Sequence, residues 1–80
     1  MSKEVTANFY NDGKKVGSLT LALDAMTGKT IGEHALGMIR LRQSVEQVLV
    51  VDLPPRSAAK VQREMVAVHP ALNAVSLVAV

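Results

Sequence analysis

Gly28-Lys29-Thr30 and Asp52 are the residues of this 80-residue chain that come nearest to a chemical site. A glycine, a lysine and a hydroxyl residue in succession suit a phosphate cradle. Glycine lets successive N–H groups turn toward an anion, and the helix N-terminus behind them favours negative charge. The lysine then reaches the outer phosphates, while the threonine hydroxyl can hold magnesium. Asp52 closes the apolar run Val48-Leu49-Val50-Val51. Glu33 and Asp52 make a second candidate pair, two carboxylates of the kind that bind divalent cations. His34 and His69 offer less. Neither has a second histidine four residues on, and the chain has no cysteine, so they give no ligand set and no nucleophile–base pair. His69, before Pro70, reads as a helix-terminal residue, favourable against the helix dipole when charged. Met26, Met38 and Met65 read as core filling.

The spacing resembles that of phosphate-loop nucleotide-binding proteins, with Val48 to Asp52 similar to a Walker B segment. That resemblance implies Gly28, Lys29 and Thr30 as phosphate and magnesium ligands and Asp52 as the aspartate of the Walker B segment. The chain departs from the pattern at Leu23, which stands where G-x-x-x-x-G-K-[ST] has its first glycine. Asp24 also brings a carboxylate close to the phosphate position. From Thr30 to Met65 the layout resembles the ribonuclease H-like fold: a helix carrying a glutamate, a strand ending in aspartate, then a further helix. Glu33 and Asp52 would be its second and third metal carboxylates. The first would lie in the opening strand, yet Val5 to Tyr10 holds no acid. Both sets have plainer roles: a turn glycine, an exposed lysine, a helix cap and a polar strand end. The expectation is no catalytic residue, no cofactor and no metal.

The stretch from Val45 to Val80 positions these residues. Val48 to Leu53 is an apolar run of the kind found in strands covered on both faces. Pro54-Pro55 stop it, since proline gives the ladder no donor. Arg56 to Val68 has helical period, with Ala58, Val61, Met65 and Val68 in one sector and Arg56, Lys60 and Arg63 opposite. His69-Pro70 end the helix, and Ala74 to Val80 is a second apolar strand. Strand, crossover helix and strand imply parallel pairing. Upstream, Val5, Ala7 and Phe9 alternate with Thr6, Asn8 and Tyr10. Asn11-Asp12-Gly13 is a hairpin turn, and in the returning strand Gly17, Leu19, Leu21 and Leu23 share a face. Thr30 to Glu33 fits a capping box, which opens a helix with Ile31, Ala35, Met38 and Ile39 as its apolar stripe and an end between Gln43 and Gln47. A short strand over Ile39–Arg42 is the competing reading. Gly32 and Gly37 weaken this helix by about 1 kcal/mol each relative to alanine.

The expected fold is therefore α+β: a two-layer α/β sandwich of order ββαβαβ, over a single domain of residues 1–80. It combines an N-terminal hairpin with a parallel β-α-β unit, giving a four-stranded mixed sheet with two helices. Hydrophobic residues make up 49% of the chain, yet Phe9 and Tyr10 are its only aromatics. The core must then be valine, leucine, alanine and methionine. A chain this short buries only about 60–65% of its unfolded surface, so such an aliphatic surplus points to self-association. No apolar run approaches the ~18–20 residues of a membrane span, and no apolar leader segment precedes the first strand. The absence of cysteine suits a reducing cytoplasm. Nine basic residues against seven acidic give a net charge of +2, which does not announce a nucleic-acid partner. The function expected is a small non-enzymatic protein-interaction module, a homodimer or higher oligomer working through a sheet edge or a helix face. The alternative is weak nucleic-acid or phosphate binding on Arg56, Lys60 and Arg63. Third comes a divergent nucleotide-binding or metal-dependent enzyme fragment.

Overall fold

A computed structural model describes residues 3–80; the expectation of no leader at Met1-Ser2 lies outside the described residues. The chain opens with the hairpin that the alternation requires. Strand β1 (Glu4–Asn11) pairs antiparallel with β2 (Lys14–Ala22), with Val5 opposite Leu21 and Phe9 opposite Gly17. Asp12 (φ 53°) and Gly13 (φ 77°) both take the left-handed region, which a two-residue hairpin turn demands. The Glu46 carboxylate accepts from the Asp12 amide at 3.1 Å and ties the turn to the third strand's entry. A bulge between Phe9 and Tyr10 leaves Val16 without a partner. Leu23 does not extend the inner face of β2. It lies in a 3-10 turn, Leu23–Ala25, and is 37% exposed, because the strand ends at Ala22 and the chain turns toward the helix layer.

The β-α-β unit forms as its periods dictate. Strand β3 (Gln47–Val51) leads into a helix over Pro55–Val68, and β4 (Ser76–Ala79) returns parallel to β3. The sheet order is β2-β1-β3-β4, so the hairpin lies antiparallel against β3 and the sheet is mixed. With a further helix over Gly28–Arg40, labelled α1, and the Pro55–Val68 helix, labelled α2, the element order is the expected one. Both helices pack on one face of the sheet. That face buries Val5, Ala7, Phe9, Val48, Val50 and Leu77 beneath Ile31, Ala35, Ala58, Val61 and Met65.

The expectation that Val48 to Leu53 is covered on both faces is corrected. Val48 and Val50 are fully buried, but Val51, on the opposite face, is 36% exposed. Among the described residues, no second helix layer lies over that side. The strand is also shorter than the apolar run, because Asp52 takes φ 66° and turns the chain, leaving Leu53 to bury itself beyond it. Val68 is half exposed although it shares the sector of Met65. It sits about 60° round the helix from Met65, and the chain turns away directly after it.

Helix α1 differs at both ends from the expectation. Thr27, not Thr30, is its N-cap, and Thr30 plays the part expected of Glu33. The Thr30 amide donates to Thr27 Oγ1 at 3.3 Å, and the Thr27 amide donates to Thr30 Oγ1 at 3.0 Å. Threonine three residues on can return the bond as glutamate does. The helix stops at Arg40, earlier than its polar continuation suggested, and no strand forms over Ile39–Arg42. Arg42 takes φ 64°, with its amide donating to the Ile39 carbonyl at 2.9 Å and the Gln43 amide to the Met38 carbonyl at 3.0 Å. This pair of bonds is the left-handed C-terminal closure that glycine usually supplies. Arg42→Gly should therefore raise stability by up to about 1 kcal/mol in thermal or urea unfolding, whereas Arg42→Val should lower it.

Candidate functional site

The phosphate-loop candidates do not come together as a cradle. Gly28 is buried at the first turn of α1 and its open side faces α2. A Cβ there would stand 2.4 Å from both Glu64 Cβ and the Met65 backbone nitrogen. The glycine is needed for helix contact and leaves no room for an anion. Lys29 is exposed beside it. The Thr30 hydroxyl is engaged within the cap, its one proton shared between the carbonyls of Ala25 and Thr27, each at 3.0 Å, so it is not presented to a metal. Asp52 is exposed at the end of β3, its amide donating to the Val80 carbonyl at 3.3 Å. No group of three or more acidic or histidine side chains is placed to hold a metal among the described residues. Glu33, exposed on α1, takes no part in the cap.

Gly32 repeats the arrangement one turn on. A Cβ there would lie 2.4 Å from His69 Cδ2, so the imidazole rests on the α1 backbone. His69 caps the C-terminus of α2 as its position suggested. It also fills the gap between the helices, with Nε2 buried and unpartnered. His34 packs against Phe9, ring centroids 4.9 Å apart.

A shallow cleft of about 280 Å³ opens beside the N-terminus of α1. Leu23, Met26, Leu53 and Val61 line its apolar part, with Lys60 and Glu64 at its polar side. Of the basic face of α2, only Lys60 reaches this cleft; Arg56 and Arg63 are exposed outside it. The remaining surface of note is the uncovered face of the sheet. By strand alternation it carries Ser18 and Thr20 from β2, Thr6, Asn8 and Tyr10 from β1, Leu49 and Val51 from β3, and Val78 from β4. Val80, beyond β4, continues the row and is 66% exposed. The Thr6 and Thr20 hydroxyls bond each other at 3.0 Å. Sequence reasoning missed this face because Val48 to Val51 is apolar throughout, which hides the alternation that marks a one-sided strand. The polar residues opposite, Thr6, Asn8 and Tyr10, were its available signal.

No protein-family model matches the chain, and no curated protein or solved structure shows significant similarity to it.

Two outcomes follow from the geometry. Gly28→Ala should destabilise the fold by about 1–3 kcal/mol, since backbone cannot yield as a side-chain tip can, and differential scanning calorimetry should show the lowered Tm. Magnesium with ATP or GTP should leave the Tm of the native chain unmoved, because a ligand that binds only the folded state raises it by mass action.

Proposed function

We propose that this chain is a small non-enzymatic protein-interaction module that pairs with a second copy through the uncovered face of its sheet. The observation that carries the reading is the distribution of side chains on that face. Val51, Val78 and Val80 are 36%, 40% and 66% exposed, with Leu49 half-buried among them, on a face whose other residues are mostly hydroxyl and amide. Thr6 and Thr20 already satisfy one another, so covering them leaves fewer unpaired groups than covering free hydroxyls would. Charge lies at the two ends: Glu4 pairs with Ala22 at one, and Lys15 pairs with Tyr10 at the other. A two-fold axis between stacked sheets, running across the strands, places Glu4 of each copy over Lys15 of the other. Such an isologous contact is self-complementary in charge as well as in apolar surface. The aliphatic composition favours the same outcome, and the absence of cysteine suits a cytoplasmic setting.

A second reading rests on Arg56, Lys60 and Arg63, all exposed along one side of α2. Three phosphate contacts would give a salt slope of about −2.7 on duplex DNA, a weak and non-specific grip. The face lacks the stacked aromatics of single-strand readers. These cations serve better to raise the rate of encounter with an acidic partner.

Size exclusion with light scattering should return a dimer at micromolar concentration. Val51→Lys, which places a charge in the middle of the contact, should return the monomer. Glu4→Lys and Lys15→Glu should each weaken association, and the double swap should restore it. A wild-type monomer at every concentration would sink the proposal.

A further inference from the structure

Strand β4 is the outermost strand beside β3, and Ser76–Ala79 contains neither a charge nor a proline. An edge of that kind invites another strand. The pairing shows which groups face out. The Ser76 amide donates inward to the Glu46 carbonyl at 3.0 Å and the Val80 amide to the Val50 carbonyl at 2.9 Å. By alternation, the amides of Leu77 and Ala79 and the carbonyls of Val75, Leu77 and Ala79 point away from the sheet.

Two of those outward groups are already taken by one side chain. Gln62, half-buried on the flank of α2, donates through Nε2 to the Val75 carbonyl at 2.8 Å, and its Oε1 accepts from the Leu77 amide at 2.5 Å. Donation to one carbonyl and acceptance from the amide two residues on is what a neighbouring strand would supply at this place. The side-chain amide stands in for it. The opposite edge is protected differently, by Lys14 and Lys15 at the start of β2 and by the bulge at Val16, both common edge protections.

We infer that Gln62 holds shut a strand-addition site on β4, and that the strand this site accepts is β4 of a second copy. The residues from Ala74 to Val80 carry no charge, so two copies meet there without repulsion. Antiparallel pairing of β4 with itself is the arrangement a two-fold axis through the edge allows. While Gln62 is in place, the carbonyls of Leu77 and Ala79 and the Ala79 amide are still offered. Displacing it exchanges two internal hydrogen bonds for two between molecules, with the entropy of association still to be met. The shut state therefore prevails in dilute solution. This contact is separate from stacking on the uncovered face.

The test uses Gln62→Met, which keeps the length of the side chain and its helix preference but removes both hydrogen bonds. It is made in the Val51→Lys chain, so that stacking on the open face does not contribute. Light scattering across a concentration series should show the mass of the Gln62→Met chain doubling where its parent stays unchanged, with association tightened by about tenfold or more. Adding Ala79→Pro, which deletes an outward donor, should return the parent mass. An unchanged mass in a folded Gln62→Met chain would overturn the inference. Hydrogen exchange on the wild-type chain gives a second reading that does not depend on any variant. The Leu77 amide should exchange far more slowly than the Ala79 amide, and equal rates would show that Gln62 guards nothing.

Discussion

Two helices must lie side by side over one face of a sheet only four strands wide, and everything else in the structure depends on how closely they approach. Gly28 and Gly32, one turn apart on α1, form the groove that receives Glu64 and Met65 of α2 and His69 at its C-terminal cap. Each glycine costs helix stability relative to alanine, about 1 kcal/mol in an exposed helix. The contact offsets that cost by drawing Met65 and Ile31 to complete burial over Val48 and Val50. With larger residues the helices would stand apart and open the core between them. Gly17 serves the same end from below, where Met38 Cε lies 2.9 Å from the position of a Cβ. Nothing in the structure explains Gly37, which has open space around it.

This constraint also fixes how the phosphate-loop candidates are used. Gly28 sits where the helices meet, and Thr30 closes the cap just beyond it. Gly28 is spent on close packing and Thr30 on the cap, while Asp52 turns the strand toward Pro54. A motif read letter by letter carries no information about which side of a glycine is empty.

The fold was legible because its signals are local. Val5, Ala7 and Phe9 alternate without interruption, Asp12-Gly13 suits the left-handed turn, and Ala58, Val61 and Met65 keep helical period. The parallel pairing of β3 and β4 followed from two apolar runs flanking one helix, and it holds. The helix ends were misplaced because competing caps were close together: Thr27 lies three residues before Thr30, and Arg42 closes α1 in a conformation that its side chain does not advertise. The uncovered face was illegible for another reason. In Val48-Leu49-Val50-Val51 both sides of the strand are aliphatic, so hydrophobicity alone does not tell a covered side from an open one. Gln62 was hidden too, since a glutamine on a helix flank gains its partners only when β4 arrives beneath it.

The single tyrosine has a useful address. Tyr10 stands half-buried on the uncovered face, across from Lys15 on one side and Gln47 on the other, and the chain contains no tryptophan. Its intrinsic ultraviolet emission therefore arises from one place alone, next to the strand that bears Leu49 and Val51. Phe9, on the adjacent position, points into the core and contributes little at that wavelength. The protein thus carries its own optical label on one surface, and binding events on the basic side of α2 occur on the other layer, out of its immediate surroundings.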